Sequence, residues 1–204
     1  MPELQDKNKV RYGISNIHVG SITTENGTVT FGIPRKYPGA VNLTIDPEGE
    51  QSPFSADNMT YYTSSSNNGY SGELEMAYIY DWFETEYLGY EISGDGLIVE
   101  KADSKPQPFY MMFQFEGDVK ATKHILYNVL ASRPSLEGGT TEDTVEPDTT
   151  TIPITVTPVE TEIGNIVKSR CIAGTEKYDT FYTVAPTVPT AKTEVPTPAK
   201  TQVK

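Results

Sequence analysis

Two histidines, His18 and His124, are the natural candidates for general acid–base catalysis in this sequence. Neither stands at a spacing from a cysteine or an aspartate that suggests a nucleophile with its base. The segment 69–73 comes close to the Gly-x-Ser-x-Gly elbow of hydrolases, but its second glycine is one position too early. We therefore predict that both histidines are structural, that the chain has no catalytic residue, and that the protein is not an enzyme.

Carboxylates, glycines and cysteine offer little further chemistry. Asp81, Glu84 and Glu86 are near enough in sequence for a glycosidase-like carboxylate pair, but a helix cap and a solvated helix face explain them more simply. Segment 94–96 lacks the third glycine of a dinucleotide-binding loop, and no Gly-Lys-Ser/Thr occurs. The single cysteine, Cys171, cannot by itself form a disulfide or a zinc site. The sequence predicts no cofactor and no metal ion, which favours assembly or binding.

The composition favours strands and argues against adhesion to nucleic acid. The 204 residues are only 36% hydrophobic, and the sequence is rich in Thr, Ser, Gly and Tyr, which suits short strands and turns. A formal charge of −12 repels polyanions on average. No run reaches the roughly 18 to 20 apolar residues of a membrane span, and the first residues lack a signal-like pattern. We expect a protein with no membrane span that begins in the cytoplasm.

The hydrophobic pattern predicts a mainly β fold with one short helix. Asn26-Gly27, between two β-favouring runs over 21–33, predicts a hairpin, and alternation predicts strands at 40–46 and 73–79. A helix over 82–88 is expected to be capped by Asp81 and ended by Gly89, with its aromatic residues in the core.

The second half of the chain is predicted to hold the centre of the sheet. Segment 109–116 is apolar at nearly every position, as in a strand that is buried on both faces or lies at an interface. A turn pairs it with the alternating strand 122–131. Prolines in 149–159 demote that strand to a sheet edge, since proline cannot donate to a ladder. A further strand at 166–172 and a short turn at 177–182 complete one domain over 1–182. A Pro/Thr-rich arm or flexible tail follows over 183–204.

The long segment from Glu48 to Gly72 combines aromatic residues with Ser, Asn, Asp and Gly, as in an extended ribbon or a long loop. Because long connections in compact domains are usually functional or disordered, we interpret it as an arm that docks on a neighbouring subunit, against the alternative of an exposed, mobile excursion. The predicted inter-subunit contact residues are Phe54, Asp57, Tyr61, Tyr62, Asn67, Asn68 and Tyr70.

Several ordered blocks of this sequence resemble the major tail proteins of siphophages that infect Gram-positive bacteria. The blocks are Tyr12-Gly13 with Asn16-Ile17-His18, Pro38 to Leu43, Glu48-Gly49-Glu50, Phe54 to Asn58, Ser66 to Glu75, and Gly117-Asp118 followed by Lys120 to His124, Leu126-Tyr127-Asn128 and Arg133-Pro134. The resemblance covers residues 9–158 well and 166–182 loosely, and the Pro/Thr tail departs from it.

The resemblance implies a tail-tube type β-sandwich or barrel with one flanking helix and a long inter-ring loop. It implies a structural virion protein whose hexameric rings stack into a non-contractile tail tube for genome ejection. The implied partners are other copies of the chain, a tape-measure protein, a tail terminator and baseplate or initiator proteins. DNA would pass through the lumen without specific binding.

A lumen that passes DNA should carry carboxylates and hydroxyls rather than lysine and arginine. Glu73 and Glu75, on an alternating strand, are the predicted lumen-facing residues, with an outer solvated face as the alternative. A β-sandwich adhesin module of a baseplate or surface, which binds host carbohydrate, remains the alternative function.

Overall fold

The computed structural model describes residues 12–25, 27–56, 58–118, 121–136, 138 and 147–190, and the fold is mainly β, as predicted. The first strands are β1 Tyr12–Glu25, β2 Thr28–Phe31, β3 Arg35–Lys36, β4 Ala40–Glu48, β5 Gln51–Ala56, β6 Met59–Ser65 and β7 Gly69–Met76. The helix α1 Asp81–Phe83 continues into a π-helical turn, Glu84–Leu88. The later strands are β8 Glu91–Ile92, β9 Ile98–Val99, β10 Phe109–Glu116, β11 Lys123–Ala131, β12 Thr150–Val156, β13 Val159–Thr161, β14 Gly164–Ile166 and β15 Lys168–Cys171.

One large antiparallel sheet carries the fold, in the order β2-β1-β10-β11-β12-β7-β4. Strand β15 also pairs with β11, and β3 pairs with β1. Residues 123–126 of β11 face β15, whereas residues 129–131 face β12. One edge of β11 therefore pairs with β15 along its first half and with β12 along its second half, and the sheet branches between the two.

The two strongest sequence signals are confirmed. The predicted hairpin forms between β1 and β2, and Gly27 takes a φ of +78°, which favours glycine. On β10, Phe109, Tyr110 and the next three residues are all buried, as expected of a strand covered on both faces. Full burial of one large apolar side chain stabilises the fold by about 1.5–3 kcal/mol, so β10 is a main contributor to stability.

The prediction that the strand at 149–159 lies on an edge is wrong, because β12 lies between β11 and β7. The reason is the position of Pro153. Its carbonyl accepts the amide of Ser132 at 2.8 Å, and the two backbone polar positions of one residue face the same neighbour in an antiparallel sheet. The nitrogen of Pro153 therefore faces the end of β11, beyond Ala131. The proline lacks an N–H at a position where the β11–β12 pairing has already ended, so no hydrogen bond of that pairing is lost.

The predicted helix exists, but its capping differs from the expectation. Tyr80 occupies the N-cap position without a side-chain hydrogen bond, so Asp81 is the first helical residue and the prediction of an Asp81 cap is wrong. Gly89 ends the helical segment with a φ of +78°, as predicted. Phe83 stacks on Tyr37 with ring centroids 4.7 Å apart, which places the helical aromatics in the core.

Two hydrophobic clusters lie on opposite faces of β10 and β11. The first fills the space between the strands and the helical segment. Its larger members include Val19, Tyr37, Leu74, Met76, Phe83, Leu88, Phe109, Met111, Leu126 and Ile152. The second is Ile22, Phe31, Tyr110, Met112, Ile125, Tyr127 and Val159, and it packs against Phe181, Tyr182 and Val188. Phe181, Tyr182 and Val188 thus cover this face of the β10–β11 hairpin.

Candidate interaction surfaces

The segment from Glu48 to Gly72 forms a two-stranded ribbon instead of an irregular loop. Strands β4 and β7 pair up to Glu48 and Gly69. The ladder continues where the Asn68 amide donates to the Glu48 carbonyl at 2.8 Å and the Ser66 amide donates to the Glu50 carbonyl at 3.0 Å. Beyond these bonds β5 pairs with β6. At about 3.3 Å per residue, the β5–β6 hairpin extends the ribbon by about 20 Å.

The far end of this hairpin exposes three large side chains, which we call the hairpin tip: Met59, Tyr61 and Tyr62. Their side chains are 69%, 78% and 63% exposed, respectively. The main contacts of β5 and β6 are with each other. A register shift opposite Ser55 leaves Tyr61 as an extra residue on β6, and such bulges re-aim side chains. Clustered exposed apolar surface of this kind is typical of a binding site for another protein.

The other predicted contact residues differ in how available they are. Phe54 lies on β5 opposite Tyr62. Asp57 lies outside the described residues. Asn67 and Asn68 are exposed, and the Asn67 side chain accepts the amide of Gly69 at 3.1 Å, so it helps to shape the ribbon.

Tyr70 is the exception among these predicted contact residues. It is half-buried against the first hydrophobic cluster, and the Lys168 ammonium lies 4.3 Å from the centre of its ring. Tyr70 therefore joins β7 to β15 within the subunit, and only part of its surface is open to a partner.

Glu73 and Glu75 lie on the polar face of β7, where Glu73 is exposed and Glu75 is half-buried. Leu74 between them is fully buried, and strand alternation turns both glutamates away from it. The pairing register sets other polar side chains beside them on β4 and β12. We call this the carboxylate–hydroxyl face, and its residues are Asn42, Thr44, Asp46, Ser71, Glu73, Glu75, Thr151, Pro153 and Thr155.

The carboxylate–hydroxyl face carries negative charge without a balancing base. Strands β4, β7 and β12 contain no lysine or arginine. The hydroxyl of Thr149 donates to Glu75 Oε1 at 2.6 Å, which holds that carboxylate in place. A wall of this kind repels phosphates by Coulomb forces and offers them no cationic partner.

Residues 178–182 are held on the sheet by aromatic contacts that the sequence did not predict. The Lys123 ammonium donates to the Tyr178 carbonyl at 2.8 Å and lies 3.9 Å and 4.8 Å from the ring centres of Tyr178 and Tyr182. Tyr182 also stacks on His18, with ring centroids 4.6 Å apart. The sequence gives no periodic signal for this contact. Lys123 lies on β11 and the two tyrosines are more than 50 residues later, so they meet only because the folded chain brings residues 178–182 back to β11.

Both histidines have structural surroundings. His18 Nδ1 is 2.9 Å from the Asn16 carbonyl oxygen, and burial is the main cause of a lowered pKa of His18, opposed by that hydrogen bond. The ring of His124 stacks on Phe113 at 5.3 Å. Among the described residues, no group of three or more His, Cys, Asp or Glu side chains is arranged to hold a metal ion.

A groove of about 650 Å³ lies between the β1–β2 and β13–β14 hairpins. We call it the acidic groove. Its floor contains Ile22, Val29, Pro108, Pro158 and Val159, and Glu160 and Glu162 also line it. The two glutamates are exposed, and neither forms an ion pair with a described cation.

The part of the chain that the structure describes contains no helix long and apolar enough to cross a membrane. Comparison with models of known protein families finds no match to this chain, and comparison with curated proteins likewise finds none.

Proposed function

We propose that this chain is a tube-forming structural subunit of a phage tail, whose hexameric rings stack into a non-contractile conduit for the genome. The observation that carries the proposal is the β5–β6 ribbon, which extends away from the sheet and exposes Tyr61 and Tyr62 at its tip. A small subunit gains little from an arm of this kind unless a neighbour receives it. The arm is therefore the inter-ring contact, with the two tyrosines as its anchors.

Ring closure needs a second contact, and the sheet offers edges for it. Strands β2 and β4 stand at the two ends of the strand order, and β4 pairs only with β7 among the described strands. Unpaired edges normally promote aggregation, but a closed ring uses them up when six subunits form a continuous barrel. A head-to-tail contact that closes by rotation, together with one that repeats by translation, produces a tube.

The carboxylate–hydroxyl face is the surface best suited to line the lumen. Glu73 and Glu75 lie at its centre, and two of its three strands, β4 and β7, carry the arm. A lumen with this lining lets DNA pass without adhesion. The tape-measure protein would occupy the lumen before the genome, and terminator and initiator proteins would close the two ends of the tube.

Electron microscopy of the purified protein at high concentration, with mass photometry alongside, tests this proposal. The expected result is rings or hollow tubes of constant diameter, with a mass step of six chains. A chain that stays monomeric even after its initiator complex is added contradicts the proposal.

A carbohydrate-binding adhesin module is the second candidate, because adjacent exposed tyrosines such as Tyr61 and Tyr62 also suit ligand binding. This candidate requires a monomer or trimer that binds host cell-wall glycans. Glycan binding that is lost in a Tyr61→Ala/Tyr62→Ala variant, without any ring formation by the parent chain, would favour it.

A further inference from the structure

The acidic groove has the character of a binding site for a basic and apolar chain segment. Ile22 and Val159 are buried members of the second hydrophobic cluster, and Pro108 and Pro158 are half-buried beside them. The volume of about 650 Å³ lies within the range of ligand-binding clefts. An apolar floor beside two carboxylates that form no ion pair with a described cation selects a ligand that carries both apolar groups and positive charge.

Residues 191–204, Ala-Lys-Thr-Glu-Val-Pro-Thr-Pro-Ala-Lys-Thr-Gln-Val-Lys, have this composition. The segment contains three lysines against one glutamate, within a chain whose formal charge is −12. Its remaining residues include two prolines, two valines and two alanines. The segment is therefore complementary to the groove in both charge and polarity.

Near the end of the described residues, the chain contacts the second hydrophobic cluster. Val188 packs on the second hydrophobic cluster, the same cluster that supplies Ile22 and Val159 to the groove floor. The described residues continue to Thr190, two residues beyond Val188.

We propose that residues 191–204 bind in the acidic groove of their own chain, with lysines beside Glu160 and Glu162 and prolines on the apolar floor. At about 3.1 Å per residue, an extended proline-rich stretch of this length spans about 40 Å. Tethering gives the segment an effective concentration in the millimolar range, so weak complementarity is sufficient. The inference concerns the free chain and does not depend on tube formation.

Disulfide trapping in dilute, full-length protein tests this proposal. In a Cys171→Ser background, one variant carries Thr24→Cys in the groove and Thr197→Cys in the C-terminal segment. Both groove glutamates remain intact in this variant. The matched control pairs Thr197→Cys with Asp103→Cys, an exposed position on the loop after β9. Thiol alkylation of the reduced proteins verifies that both cysteines of each pair are reactive.

We expect the groove pair to form an intrachain disulfide at least ten times faster than the control pair. High salt should slow the groove pair, because it screens the attraction between lysine and glutamate. Charge reversal by Glu160→Lys/Glu162→Lys should slow it further. Equal rates for the two pairs overturn the proposal. Disulfides formed only between chains also overturn it, since they assign the groove to the C-terminal segment of another copy.

Discussion

Replacing the two tyrosines of the hairpin tip should strongly weaken assembly while leaving the subunit folded. The change is Tyr61→Ser/Tyr62→Ser. The two side chains are 78% and 63% exposed, so the subunit itself gains little stability from them. We expect the free energy of unfolding of the monomer to change by less than about 0.5 kcal/mol.

The effect on assembly follows from the area that these tyrosines leave exposed. An aromatic side chain presents roughly 200 Å², so the exposed share of each tyrosine is roughly 120–160 Å². At about 25 cal/mol per Å², complete burial in a neighbour contributes about 3–4 kcal/mol per tyrosine, and burial of half of that area about 1.5–2 kcal/mol. Half-burial therefore amounts to about 3–4 kcal/mol for the pair. Since 1.4 kcal/mol is tenfold in an equilibrium constant, this loss raises the critical concentration roughly 100- to 1,000-fold.

Sedimentation of assembled material across a concentration series measures the critical concentration, and urea unfolding of the monomer measures stability. Tyr78→Ser is the matched control, because Tyr78 is also exposed but lies before the helix, away from the ribbon. An unchanged critical concentration in the double variant would refute the assignment of the tip as the inter-ring anchor. An equal loss in the Tyr78→Ser variant would show that the effect is not specific to the tip.

Four further outcomes are expected. Burial lowers the pKa of His18 below the ordinary histidine value of about 6.5. At a pH near and just below that value, the unfolded chain therefore binds more protons than the folded chain, and stability falls as the pH drops through this range. His18→Gln should flatten this dependence in urea unfolding at pH 5 and pH 8, and an unchanged slope would contradict it. Leu74→Ala should lower the free energy of unfolding by about 2–5 kcal/mol, because Leu74 is fully buried. Glu73→Ala, at the exposed neighbouring position, should lower it by less than about 0.5 kcal/mol. Similar losses in the two variants would mean that the buried and exposed faces of β7 are wrongly assigned. Lys123→Met removes one hydrogen bond and two ring contacts, so it should lower the free energy of unfolding by about 1–2 kcal/mol and speed proteolysis between residues 175 and 190. Unaltered proteolysis would contradict the role of Lys123 in holding residues 178–182 on the sheet. Glu73→Lys/Glu75→Lys should slow genome release from assembled tails in a salt-dependent way, and unchanged release, with both residues found outside the tube, would remove them from the lumen.

Local sequence patterns predicted those elements whose cause is local. Asn26-Gly27 predicts a hairpin because its backbone preferences act within four residues, and β1 and β2 form it. The unbroken apolar run of β10 predicts burial on both faces, and both hydrophobic clusters use it. Gly89 ends the helical segment because few other residues adopt its positive φ at so little cost.

Elements whose position depends on a distant partner were not predictable in the same way. Pro153 was expected at a sheet edge, yet β12 lies inside the sheet because the proline nitrogen meets only the end of β11. Tyr70 carries the same exposed-looking sequence context as Tyr61 and Tyr62, but β15 brings Lys168 onto its ring. The sequence therefore identifies tyrosines that could contact another subunit, but only the fold shows that Tyr61 and Tyr62 are exposed at the hairpin tip and that Tyr70 is half-buried within the subunit.

The sequence by itself determined the mainly β class, the central hairpin and the acidic balance, since periodicity, turn chemistry and charge are properties of neighbouring residues. Only the tertiary structure decided that Glu48 to Gly72 is a paired ribbon and that Glu73 and Glu75 share a face free of bases on β4, β7 and β12. It also placed the acidic groove between two hairpins far apart in sequence. These features arise from long-range strand pairing, which a linear pattern does not encode because each strand's partner is chosen by the packing of the whole sheet.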